Sequence, residues 1–148
     1  MSALGLRIFD KAIKDANIWL DELMDLLDWD DKQRAYRLLR STLHVLRDRL
    51  QVNEAVHFAA ELPTFIRGIY YEGWQPARPR SKYKRADEFA EAVEAAFDTD
   101  PNADPVATVR AVFSVISAHI SAGEIGDIKS GLTEDIRRLW PAEATAEQ

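Results

Sequence analysis

The chain contains no cysteine, which excludes disulfides, thiolate-held metals, thiol nucleophiles and redox switching. This composition is compatible with a reducing compartment. Glycine and proline are sparse, six of each in 148 residues. The glycines, Gly5, Gly68, Gly73, Gly123, Gly126 and Gly131, fit neither the dinucleotide-binding nor the P-loop spacing. No run approaches the roughly 18 uninterrupted apolar residues of a membrane span. Met1–Lys11 lacks an apolar stretch followed by a small-residue cleavage site, so no secretory signal is expected. Strand-type alternation is missing over any useful length. Neither Ser114 nor Ser117 sits in a nucleophile elbow, and no HExxH pattern accompanies His44, His57 and His119.

What is present is an ordinary globular composition, 47% apolar and 30% charged, with enough apolar surface for a core. The net charge of −6 is unevenly spread: residues 74–85 carry five basic groups and no acid, whereas residues 86–148 carry 13 acids against 4 bases. An acidic second half disfavours wrapping nucleic acid or lying on an anionic membrane.

Residues 16–71 laid on residues 86–141 without a gap match at Ala16/Ala86, Asp28/Asp98, Asp30/Asp100, Arg40/Arg110, Val45/Val115, Glu54/Glu124, Leu62/Leu132 and Ile66-Arg67/Ile136-Arg137. Large apolar positions keep their class, as at Trp19/Phe89, Leu43/Phe113, Phe58/Ile128 and Tyr70/Trp140. Such self-similarity at a shift of 70 residues predicts one supersecondary unit used twice. The expected organisation is a single compact domain over 1–148, with units at about 8–73 and 84–141, a basic linker at 74–85 and a frayed tail at 142–148.

Within each unit the apolar period is helical. Phe9, Ala12, Ala16, Trp19, Leu20, Leu23, Leu26 and Leu27 mark a first helix, and Leu39, Leu43, Leu46 and Leu50 a second over about 31–50. Asp30 or Asp31 can cap the second, and Asn53 can cap a third with Glu54 in its first turn. Pro63 reads as the first residue of a short helix running to about Tyr71 and stopped by Gly73. In the second unit Phe89, Val93, Ala96 and Phe97 line one helix, and Asp98–Asp104 forms a loop. Asp104-Pro105 starts the next helix, and Gly123 breaks the chain before a short helix over Glu124–Ser130. Thr133-Glu134-Asp135 opens a last helix ending at Trp140-Pro141. The predicted class is therefore all-α: a helical bundle of two tandem, pseudo-symmetric units of three to four helices, stacked to cover each other's apolar stripes.

The stretch from Tyr36-Arg-Leu-Leu-Arg through Glu61-Leu62-Pro63 to Gly68-Ile-Tyr-Tyr-Glu-Gly-Trp74, closing with Gly123-Glu-Ile-Gly-Asp-Ile and Leu132-Thr-Glu-Asp-Ile-Arg-Arg-Leu-Trp140, resembles the bacterial family catalogued as domain of unknown function 2267. The resemblance runs from about Phe9 to Pro141. It implies a small all-helical bacterial protein and no catalytic residues.

The joint between the units carries the one concentrated candidate surface. Arg78, Arg80, Lys82, Lys84 and Arg85 stand beside Tyr70, Tyr71, Trp74 and Tyr83. Basic groups neutralise phosphates or carboxylates, and aromatics stack on exposed planar groups. The same stretch also reads as a solvated linker that its prolines keep extended. Elsewhere structural roles dominate. The paired carboxylates Asp28/Asp30, Asp98/Asp100 and Glu134/Asp135 sit where helix caps belong. A zinc site built from His44 and His57 with Glu61 or Asp127 lacks ligand spacing. The second and third helices have helix-turn-helix spacing, but Glu54–Glu61 is acidic and apolar where a reading helix needs Arg, Asn or Gln. The matched Glu54/Glu124 and Arg67/Arg137 suggest an ion pair inside each unit or, alternatively, a site using both copies. No cofactor and no metal is expected. The expectation is a non-catalytic interaction module of the bacterial cytoplasm, binding another protein or itself through Tyr70–Arg85. The alternatives are nucleic-acid binding by that segment and a small-ligand carrier or enzyme with a pocket between the units.

Overall fold

The computed structural model describes residues 5–97 and 104–142, and among these residues it is all-helical, without strands. Eight helices follow in order: α1 Arg7–Leu27, α2 Lys32–Arg49, α3 Val52–Ala60, α4 Thr64–Tyr71, α5 Ala86–Phe97, α6 Pro105–His119, α7 Ala122–Ser130 and α8 Glu134–Arg137. Of the predicted loop Asp98–Asp104, residues 98–103 lie outside the described residues, as does the predicted tail beyond Ala142.

The starts of α2, α6, α7 and α8 are set by oxygen-bearing caps that satisfy first-turn amides. The Asp31 carboxylate accepts from the Arg34 amide at 3.2 Å. Asp104 accepts from the amides of Val106 and Ala107, with Pro105 at the first helical position. Thr133 accepts from Ile136. Four boundaries differ from the sequence expectation. α3 starts two residues earlier, after Gln51 rather than Asn53, and Pro63 is the cap of α4 rather than its first residue. Gly123 lies inside α7, because the Ser121 hydroxyl accepts from the Glu124 amide and starts the helix before the glycine. The last helix ends at Arg137, and turns carry the chain on to Trp140.

α2 is the central element, packed against α1, α4, α5 and α6. Ala35, Leu38, Leu39, Leu43 and Leu46 are at most 1% exposed. The two polar residues in that buried arc are satisfied: Ser41 donates to the Val93 carbonyl of α5 at 2.6 Å, and Thr42 donates to Leu38 of its own helix. α1 packs on α6, α5 on α6 and α8, and α3 on α7. The core therefore draws on helices from both sides of the joint. Trp19, Phe89, Tyr70 and Trp140 all belong to it, as their pattern predicted. Phe113 stacks on Trp140 at 3.9 Å and tilts against Phe89. The apolar stripe of α1 is only partly covered. Phe9 and Leu26, which continue that stripe, are 58% and 57% exposed.

Gly68 and Gly73 provide opposite tests of this backbone. Gly68 is helical with open space where a Cβ would go, whereas Gly73 holds a left-handed φ of +69°. Gly68→Ala should stabilise by up to about 1 kcal/mol through helix propensity. Gly73→Ala should destabilise by roughly 1–2 kcal/mol through left-handed strain. Urea midpoints of the two variants against the parent chain check both signs.

Candidate partner-binding joint

The joint begins where α4 ends. Three aromatic contacts lead outward from the core: Tyr70 meets Phe58 edge-on at 5.3 Å, Tyr71 meets Tyr70 at 5.4 Å, and Trp74 stacks on Tyr71 at 5.5 Å. Gly73 supplies the turn that brings Trp74 back over Tyr71. Exposure grades along this row. Tyr70 is fully buried, and its hydroxyl donates to the Ala55 carbonyl at 2.9 Å. Tyr71 and Trp74 are half-buried. Tyr70, a candidate contact residue from sequence, is thus a support for the surface rather than part of it. Burial also holds its phenol proton far more tightly than usual.

Arg47 organises the turn and was not singled out by the sequence reading. Its side chain is 5% exposed and donates to the carbonyls of Tyr70 and Glu72, both at 2.8 Å, and to the Asp48 carboxylate at 2.9 Å. These are C-terminal carbonyls of α4, which have no partner within their own helix. The available signal was an arginine four residues after Leu43, on the apolar face of α2. Arg40 adds an exposed ion pair to Glu72 at 3.0 Å.

Beyond Trp74 the chain is irregular but tied down. The Ser81 amide donates to the Asp48 carbonyl at 2.9 Å, and Arg49 donates to the Tyr83 carbonyl at 2.9 Å. Between this strap and the end of α2 lies a cavity of about 270 Å³ whose wall includes Leu50, Trp74, Arg78, Arg80 and Tyr83. Burial and the neighbouring Arg80 guanidinium both press the Arg49 cation toward losing its proton, the mark of two like charges held together. Arg78 donates to the Gln75 side chain. Arg80 and Lys82 are exposed and make no ion pair among the described residues. The far end of the segment differs. Arg85 pairs with Asp87, and the Lys84 and Arg85 amides are capped by Glu88. The Lys84 carbonyl accepts from Thr133 and the Ala86 amide donates to Asp135, which ties the start of α5 to that of α8. Of the nine candidates, Trp74, Arg78, Arg80 and Tyr83 line one cavity, Lys82 is exposed on the same strap, and Lys84 and Arg85 belong to a helix cap.

The remaining candidates resolve into structural contacts. His44 bonds to the Ile69 carbonyl at 2.7 Å, so Nε2 carries the proton, and burial lowers its affinity for a second one. His57 is exposed on α3. His119 stacks on Trp19 and pairs with Glu22. Among the described residues no group of three or more His, Asp or Glu could hold a metal ion. The expected pairing of Glu54 with Arg67 does not form. Arg67 instead donates to the carbonyls of Ala59 and Leu62, and Arg137 to Leu132, the residue 70 places after Leu62.

A helical bundle with an apolar core and a tied-down basic strap places the chain among small all-α proteins, and no described helix is long and apolar enough to cross a membrane. Residues 16–139 match the family described as an uncharacterized conserved protein, DUF2267, and the chain belongs to that family. No curated protein matches it.

Tyr70→Phe should cost about 1–2 kcal/mol, because the buried Ala55 carbonyl loses its side-chain donor. It should also leave the tyrosinate absorbance of the folded protein near pH 11 unchanged, since Tyr70 keeps its proton there. Urea unfolding and a spectrophotometric titration check the two statements.

Proposed function

We propose that the protein is a non-catalytic interaction module whose joint, Trp74 to Tyr83, receives an acidic surface of a protein partner. The observation that carries this reading is the cavity under the strap, where Arg47, Arg78 and Arg80 meet a single carboxylate, that of Asp48, which Arg47 already holds, while Arg80 also bears on the neighbouring Arg49 and makes no ion pair among the described residues. Like charges held close are stabilised by an anion that binds between them. Guanidinium groups suit carboxylates because their fork geometry allows two bonds at once. The half-buried Trp74 offers the aromatic anchor that partner surfaces favour. Nucleic acid is the weaker reading, since the rest of the chain is acidic.

The test is affinity capture from a bacterial lysate with the parent chain and with the Arg78→Ala/Arg80→Ala/Lys82→Ala triple variant. Acidic proteins held by the parent should be lost from the variant, while urea midpoints stay within about 0.5 kcal/mol, as is usual for surface changes. Retention of every captured partner by the variant would overturn the assignment. Capture abolished by nuclease would transfer the site to nucleic acid.

Self-association has its own support on a different surface. Leu6, Phe9 and Ile13 share one face at the start of α1 and are 62%, 58% and 49% exposed. Such a row is the usual material of a helix-to-helix contact between copies. Sedimentation should show a concentration-dependent dimer in the parent chain and monomer only in Phe9→Glu.

A further inference from the structure

Glu54 stands in the first turn of α3 and Glu124 in the first turn of α7, and these helices pack against each other. Each carboxylate has one oxygen, Oε2, buried without a hydrogen-bond partner. Glu124 is only 8% exposed. Two ionised carboxylates in this position would repel each other with little water to screen them.

Among the described residues, the surroundings supply no relief. The charges bearing most on Glu124 are Glu54 and Glu61 from the α3 side and Asp127 from its own helix, all acidic. Glu61 is occupied, accepting from both the amide and the hydroxyl of Ser121 at 2.9 Å. On α4, Tyr70 points its hydroxyl at Ala55. On α2, Arg47 gives its guanidinium to the Tyr70 and Glu72 carbonyls and to Asp48. From α6 the neutral Ser114 and Ser117 share a cavity wall with Ala122 and Ile125 of α7. His57, one turn along α3 from Glu54, is exposed. Lys129, five residues beyond Glu124, lies on another side of α7. A proton is the remaining cation. Bound between the two groups, it turns a repelling pair into a hydrogen-bonded one.

We propose that Glu54 and Glu124 share a single proton across the α3–α7 contact, and that loss of this proton releases α7 from α3, making the contact a proton-operated latch. Consistent with this geometry, the Glu124 carboxyl is pushed up to about 8, first by burial, then by its hydrogen bond to Glu54, then by the charges of Glu54, Glu61 and Asp127. A carboxyl raised in the folded state gives stability that is fully present below its unfolded value and is lost as pH rises through the folded one. The latch is therefore tightest in acid, loosens progressively as pH rises above the ordinary carboxylate range, and has lost its proton once pH passes about 8.

Hydrogen exchange on the full chain, corrected for intrinsic rates, reads the latch directly. Between about pH 6 and about pH 9.5 the α7 amides should lose at least about tenfold protection, the effect of one pKa unit. Glu124→Gln, whose amide donates permanently to Glu54, should keep that protection at the higher pH. Equal α7 protection at both pH values in the parent, or equal loss in Glu124→Gln, would overturn the proposal. Carbon-detected titration of the Glu124 carboxyl in the parent chain decides independently of any variant's folding. A midpoint above about 7 supports the shared proton, and one near the ordinary value of about 4.3 rejects it.

Discussion

α2 must bury an arc too wide for any single partner, and the rest of the bundle follows from that requirement. Ala35, Leu38, Leu39, Ser41, Thr42, Leu43 and Leu46 occupy successive sides of one helix and are almost completely excluded from water. Covering them takes α1 and α4 from the chain before the joint and α5 and α6 from the chain after it. A helix apolar over this much of its circumference is stable only inside such a cage. Ser41 fits there because it hands its proton to the Val93 carbonyl of α5, which makes the α2–α5 contact specific as well as apolar.

Short helices create a second problem, since each adds a set of carbonyls that its own turns cannot satisfy. Arginine solves it repeatedly in this fold. Arg47 serves the end of α4, Arg67 the end of α3, and Arg137 the turn after α7. A guanidinium reaches two carbonyls at once and opposes the negative helix terminus. These arginines are thereby withdrawn from any surface role. Arg78, Arg80 and Lys82, by contrast, stay exposed on the strap over the end of α2.

The two sides of the molecule accordingly differ in electrostatic character. At the joint, the guanidinium groups of Arg47, Arg78 and Arg80 share one cavity wall with a single carboxylate, that of Asp48. At the α3–α7 contact, carboxylates crowd where water is scarce. Like charge gathered in either place costs free energy, which binding of an anion in one case and of a proton in the other would relieve.

The sequence by itself determined the helices, because a 3.6-residue apolar period and caps such as Asp31, Asp104 and Thr133 act over only a few neighbouring residues. It also determined the core aromatics Trp19, Phe89, Tyr70 and Trp140, which are too large and apolar to stay in water. The position of the basic strap was legible as a run of charge without acid. Only the tertiary structure decided which candidates face outward. Tyr70 and Trp74 are near neighbours in sequence, yet one is sealed against Phe58 and the other half-open, since the Gly73 turn lies between them. Phe9 and Leu26 continue the α1 stripe but remain exposed, because periodicity says which residues share a face and not whether a neighbour covers it. The meeting of Glu54 with Glu124 belongs to the same category. Their match at a shift of 70 residues was visible, but the mutual desolvation that makes a proton their natural partner exists only once α3 and α7 are packed together.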